Sequence, residues 1–110
     1  HYELYSLPTI DDLKKLLAEN PELAGLNVTI PYKEQVMKYL NTIDTTAQKI
    51  GAVNVIKIQN GKLSGFNTDS DAFFESLERW FPKIPNAKAL ILGTGGSSKA
   101  VQEALKRLSI

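Results

Sequence analysis

Three polar side chains and one glycine loop carry the residue types that chemistry on a small molecule requires. Lys33 stands just past a β-branched apolar run and offers an ammonium, which can donate a proton or stabilise a developing oxyanion. Asp69, in Asn67-Thr68-Asp69 ahead of an amphipathic stretch, offers a carboxylate that can orient such an ammonium. Asn54 lies inside a strand-like run, where asparagine is disfavoured and a buried amide needs backbone or ligand partners. Gly93-Thr94-Gly95-Gly96-Ser97-Ser98 follows an apolar run and precedes a helical pattern. Strand, Gly-x-Gly-Gly, helix is the context in which backbone N–H groups and a positive helix end hold a pyrophosphate. Each feature also has a plainer reading. Lys33 could be a solvated surface lysine, Asp69 a helix cap, Asn54 a backbone-satisfied amide, and the glycine loop a tight corner. The third glycine of the generic dinucleotide fingerprint falls at Ser98, and the residue that reads the ribose would lie about 20 positions on, past Ile110. On these residues NAD and NADP are not separated.

Composition narrows the field. The chain has 110 residues, 13 basic and 12 acidic, for a net charge of +1. That balance argues against a nucleic-acid or membrane-surface partner. There is no cysteine and one histidine, His1, so thiolate zinc sites, cysteine nucleophiles, histidine triads and multi-histidine metal sites are excluded and no metal is expected. No apolar run approaches the roughly 20 residues that span a bilayer, and no signal-peptide pattern opens the chain. A soluble, cytoplasmic protein acting on a small molecule is the expectation.

The elements that must position these residues follow from patterning. Residues 1–7 read as a strand ended by Pro8, and Thr9 caps a helix bearing Leu13, Leu16 and Leu17 on one face. Residues 25–30 read as a buried strand, with Pro31 opening a helix over 32–40 that buries Val36, Tyr39 and Leu40. Asp44 caps a short helix ending at Gly51. Residues 52–58 and 62–66 flank Asn60-Gly61 as a hairpin at one edge of the sheet. A helix over 70–81 places Phe73, Phe74 and Trp80 in the core, and 82–86 read as a linker. Residues 87–92 then read as a doubly covered parallel strand, and the last helix carries Val101, Ala104, Leu105 and Leu108 on its apolar face. The expected fold is α/β, with a mixed, mostly parallel open sheet followed by the first βα of a Rossmann-like domain. In such sheets sites gather beyond the carboxyl ends of strands, where Lys33, Asp69 and Gly93 all fall.

These segments together resemble the shikimate dehydrogenase family. Residues 25–33 (GLNVTIPYK) are similar to its N-V-T-x-P-x-K motif, 50–54 (IGAVN) to its I-G-A-V-N segment, and 65–69 (GFNTD) to its G-x-N-T-D segment. Gly93-Thr94-Gly95-Gly96 with Ala100 resembles its G-x-G-G-x-x-x-A cofactor loop. Four motifs in order cover most of the chain from Gly25 onward. The resemblance implies a reversible, NADPH-dependent reduction of 3-dehydroshikimate to shikimate in aromatic amino acid biosynthesis. It implies Lys33 and Asp69 as the catalytic pair, with Thr29, Lys33, Asn54 and Asp69 on the substrate and Gly93, Thr94, Gly95, Gly96 and Ser97 on the cofactor. Residues 1–82 would be a substrate-binding domain lacking its N-terminal part, and 83–110 the truncated start of the NADP-binding domain of a monomeric or homodimeric enzyme. The family's Ser-x-Ser-Pro loop is absent, and Ser70 stands where a glycine usually follows N-T-D. Two other readings share these motifs, an NAD(P)-dependent quinate/shikimate dehydrogenase and a non-catalytic small-molecule-binding homologue.

Overall fold

A computed structural model of the chain describes residues 1–81 and 85–110. Its helices begin and end where local chemistry requires. A 3-10 turn over Ile10–Asp12 runs into α1 (Leu13–Glu19), and the Asp12 carboxylate accepts from both the N–H and the hydroxyl of Thr9. Leu13 and Leu16 of α1 are buried and Leu17 partly so, as their spacing predicts. The Asp44 carboxylate accepts the Thr46 and Ala47 N–H groups at the start of α2 (Thr45–Ile50), and Gly51 ends that helix at φ 75°. These are the expected cap and the expected left-handed stop.

The sheet has four strands among the described residues. β1 (Gly25–Asn27), β2 (Thr42–Ile43), β3 (Val55–Gln59) and β4 (Lys62–Phe66) lie in the order β1-β3-β4-β2. Asn60 and Gly61, at φ 52° and 71°, turn β3 into β4 as a two-residue hairpin. Such a turn requires positive φ at both central residues, which this dipeptide supplies.

The direction of the sheet departs from expectation. Two of the three pairings, β1–β3 and β3–β4, are antiparallel, and only β2–β4 is parallel. The hairpin forces β3 against β4, and β1 then takes the free side of β3, so the hairpin forms the centre of the sheet and not its edge. Residues 25–30 form a strand only as far as Asn27. Val28 still donates to the Asn54 carbonyl at 2.8 Å, after which Ile30, exposed, leads into a cis Ile30-Pro31 bond. Tyr32 N–H closes this turn on the Thr29 carbonyl. Pro31 is thus a turn residue and not a helix start. The helix expected over 32–40 is reduced to a 3-10 turn at Gln35–Tyr39, although Val36 is buried and Tyr39 and Leu40 pack on the core. Residues 1–7 and 87–92 form no strand, and Tyr2, Leu4, Leu90 and Leu92 are exposed. Neither run is paired through its backbone with a described strand, and apolar character alone does not make a strand without a hydrogen-bonded neighbour.

α3 (Asp69–Trp80) and α4 (Gly96–Arg107) pack against each other. Of the aromatic set placed in the core, Phe73 and Phe74 are half-buried and Trp80 is 78% exposed. The buried residue of α3 is Ser70, and α4 buries Ala100, Glu103 and Ala104, so small side chains and one carboxylate make the inner faces. Val101, Leu105 and Leu108 are only partly covered. Of the βα pair expected over the last part of the chain, a helix forms and residues 87–92 do not form the strand. Residues 82–84 of the linker expected over 82–86, and with them the domain boundary expected after residue 82, lie outside the described residues, while Pro85 and Asn86 form a turn. Among the described residues no helix is long and apolar enough to cross a membrane.

Candidate active site

Lys33 rides on the short stretch between the cis-proline turn and the 3-10 turn. Its carbonyl accepts the Val53 N–H at 2.7 Å, which ties the segment to the residue before Asn54. Its ammonium donates to Asp69 Oδ2 at 2.6 Å and to Ser97 Oγ at 3.2 Å, and its side chain is only 14% exposed. A surface lysine solvating itself has neither this burial nor these partners.

Asp69 is the first residue of α3, yet its side chain does not cap the helix. That task falls to Asn67, 4% exposed, whose Oδ1 accepts the Ser70 N–H at 3.3 Å while its Nδ2 donates to the Ala52 carbonyl at 2.9 Å. With the cap filled by a neighbour, both Asp69 oxygens face other partners: Oδ2 takes Lys33, and Oδ1 accepts from Asn54 Nδ2 at 2.8 Å. Asn54 also donates to Thr68 Oγ1 and accepts the Thr68 N–H, each at 2.9 Å. Its own backbone bridges Val28 and Phe66, so the amide projects from a fixed point between strands. A continuous chain of hydrogen bonds, Asn54 to Asp69 to Lys33, results. Charge-assisted bonds of this kind are shorter and stronger than neutral ones.

Thr29 stands apart from that chain. It is exposed, and its side chain makes no hydrogen bond among the described residues. The glycine loop leads into α4, with Gly93 at φ 132°, and Ser98 Oγ donates to the Gly95 carbonyl at 2.7 Å. A cavity of about 360 Å³ separates this loop from the cis-proline turn, lined by Ile30, Pro31, Lys33, Gly93, Gly95 and Ser97 among others; Thr94 is exposed and does not line it. A second, more open hollow of about 350 Å³ is lined by Asp69, Phe73 and Ser76 and shares Lys33 and Ser97 with the first. Gly96 makes the close approach possible, since a Cβ there would lie 2.9 Å from Lys33 Cβ and 3.1 Å from Ala52 Cβ.

Sequence reasoning thus names Lys33, Asn54 and Asp69, which meet. It misses Asn67, whose buried amide frees Asp69, and the hydroxyl of Ser97 as a partner of Lys33. The polar run Asn67-Thr68-Asp69 is the available signal for the first; no signal points to the second, since the two residues lie 64 positions apart. The loop fits a phosphate group. No atom stands within 4 Å of where side chains at Gly93 or Gly95 would project, and the first turn of α4 carries no acidic residue.

A part-buried lysine–carboxylate pair beside a glycine loop at a helix start brings a proton donor next to a place where a phosphate can sit. Comparison with known proteins gives the class. The family model described as shikimate dehydrogenase substrate binding domain matches residues 1–56. A shikimate dehydrogenase (NADP(+)) of Clostridium botulinum is 46% identical over 110 residues, covering 98% of this chain and 42% of that protein. The crystal structure of a chorismate mutase/shikimate 5-dehydrogenase fusion protein from Clostridium acetobutylicum superposes with a TM-score of 0.83 at 42% identity, over 96% of this chain and 39% of that one. Shikimate 5-dehydrogenase from Thermus thermophilus in complex with NADP(H) and shikimate gives a TM-score of 0.77 at 38% identity, over 90% of this chain and 38% of that one. The chain belongs to the shikimate dehydrogenase family, and it spans about two-fifths of the length of the relatives it matches.

Proposed function

We propose that this chain carries the proton-transfer site and the first cofactor contact of an NADP-dependent shikimate dehydrogenase, a cytoplasmic enzyme reducing 3-dehydroshikimate reversibly to shikimate. Residues 1–82 form the substrate-binding part and 83–110 begin the cofactor-binding part. The observation that carries this reading is the 2.6 Å Lys33–Asp69 pair beside the glycine loop.

When bound, the nicotinamide cofactor supplies the hydride. The carbonyl oxygen that receives negative charge needs a proton, and the Lys33 ammonium is the donor positioned for it. Asp69 keeps that ammonium oriented toward the oxygen up to the transfer, which leaves the neutral amine, and Asn54 fixes the carboxylate. In the reverse direction the neutral amine accepts the hydroxyl proton. Asp69, Asn54 and Thr29 hold substrate hydroxyls, the last from the turn before Pro31. Gly93 to Ser97 hold the cofactor pyrophosphate through backbone N–H groups at the start of α4, with Thr94 at the outer edge. The test is the initial rate of the full-length enzyme with shikimate or quinate and with NADP⁺ or NAD⁺. Fastest turnover with shikimate and NADP⁺ is expected. A preference for quinate and NAD⁺ would assign the chain to a quinate dehydrogenase, and absence of turnover with every pair would make it a binding homologue.

A further inference from the structure

We infer that the Ser97 hydroxyl is a positioning group for Lys33, coupling the glycine loop to the proton-transfer site; the inference rests on the dehydrogenase reading above. An ammonium has three N–H groups. Asp69 Oδ2 takes one at 2.6 Å and Ser97 Oγ another at 3.2 Å. Two acceptors on different helices fix rotation about the Cε–Nζ bond, so the direction of the third N–H, the one left for a substrate oxygen, is set. With Asp69 alone the torsions of the lysine stem could carry Nζ around that carboxylate, and the third N–H would swing with it.

Three further observations point the same way. Ser97 and Lys33 are the residues common to the loop cavity and the hollow beside Asp69, so their contact lies where the two meet. The neighbouring hydroxyl, Ser98, is engaged by the Gly95 carbonyl and does not compete for the lysine. Gly96 brings the loop against the lysine stem, where a Cβ would meet Lys33 Cβ at 2.9 Å. The loop therefore grips Lys33 at both ends of its side chain, through glycine at the stem and serine at the head. Ser97 is exposed and sits in the first turn of α4, where alanine is well tolerated, so its hydroxyl is not needed for folding.

The experiment compares Ser97→Ala, Ser97→Thr and Lys33→Ala with wild type in the full-length enzyme, using shikimate and NADP⁺. Loss of one hydrogen bond to the ammonium should lower kcat by about 5- to 20-fold in Ser97→Ala, with KM for NADP⁺ kept within about twofold. Threonine keeps the hydroxyl and should restore kcat to within about threefold of wild type. An unchanged kcat in Ser97→Ala, a rise confined to KM for NADP⁺, or equal slowing by alanine and threonine would each overturn the inference. Lys33→Ala separates the two levels. If it is impaired while Ser97→Ala is normal, the role of Ser97 falls and the dehydrogenase reading stands; if wild type does not oxidise shikimate, both fall.

Discussion

At the scale of single residues, the site is a question of which side chain satisfies which group. Asp69 opens a helix, where an aspartate ordinarily caps, yet Asn67 accepts the helix N–H and leaves Asp69 to Lys33 and Asn54. Two substitutions follow from this division. Lys33→Ala removes the proposed proton donor and should reduce kcat by roughly 10²- to 10⁴-fold with a smaller change in KM; steady-state rates within about threefold of wild type would return Lys33 to the role of an ordinary paired lysine. Asp69→Asn keeps the shape and removes the charge that orients the ammonium. Activity should fall sharply while the melting temperature stays nearly constant, because the cap lies elsewhere. A large drop in melting temperature with activity retained would show that the carboxylate serves the helix after all. Much of this was legible in residue types: lysine, aspartate and asparagine at strand and helix ends carry their chemistry with them. The choice between Asn67 and Asp69 as cap was not, because both lie within one turn of the helix start and only the packed backbone decides between them.

At the scale of elements, ion pairs join α4 to the rest of the described chain. Glu34 pairs with Lys99 at 2.5 Å, Lys49 at the end of α2 with Glu103 at 2.5 Å, and Asp71 with Arg107 at 2.6 Å, the last guanidinium also lying 4.0 Å over the Phe74 ring. The outer two pairs are exposed and contribute little each. Glu103 differs, since its side chain is 9% exposed and Lys49 supplies its countercharge. Lys49→Met should leave that carboxylate without its partner and cost about 1–3 kcal/mol, read as a lowered denaturation midpoint. A midpoint unchanged by Lys49→Met, with a similar slope, would mean that water reaches Glu103 and serves equally well. Helical periodicity found α3 to within a residue of its start, whereas α4 begins at Gly96, inside the run read as a glycine loop. The periodicity named Ala104 correctly but otherwise favoured the larger side chains, whereas α3 and α4 bury Ser70, Ala100 and Ala104, and small residues allow a close packing that hydrophobicity does not rank.

At the scale of the whole molecule, the described chain leaves Leu90, Leu92, Tyr2 and Leu4 in water beside a sheet of four strands. Residues 1–110 expressed alone should therefore associate in gel filtration and show no NADP⁺ reduction with shikimate, since a dinucleotide site of this kind needs both halves of its fold. A monomer with turnover close to that of the full-length enzyme would show instead that the segment contains a sufficient site.

What the sequence determined by itself was local. Asp44 and Gly51 bound α2, Asn60-Gly61 turns β3 into β4, and the glycine loop opens α4, because each depends on dihedral preferences and hydrogen bonds within a few residues of chain. The motifs around Lys33, Asn54 and Asp69 likewise named, before any geometry, three side chains that meet. Tertiary structure alone decided the rest. Strand direction is set by which edge is left free once the hairpin closes, so a pattern that reads as parallel became mostly antiparallel. The turn at Ile30-Pro31 replaced a helix start that local preference allows equally well. The contact between Lys33 and Ser97 arises only when α4 docks, for it joins residues 64 positions apart, and no periodicity in the chain encodes a meeting that packing creates.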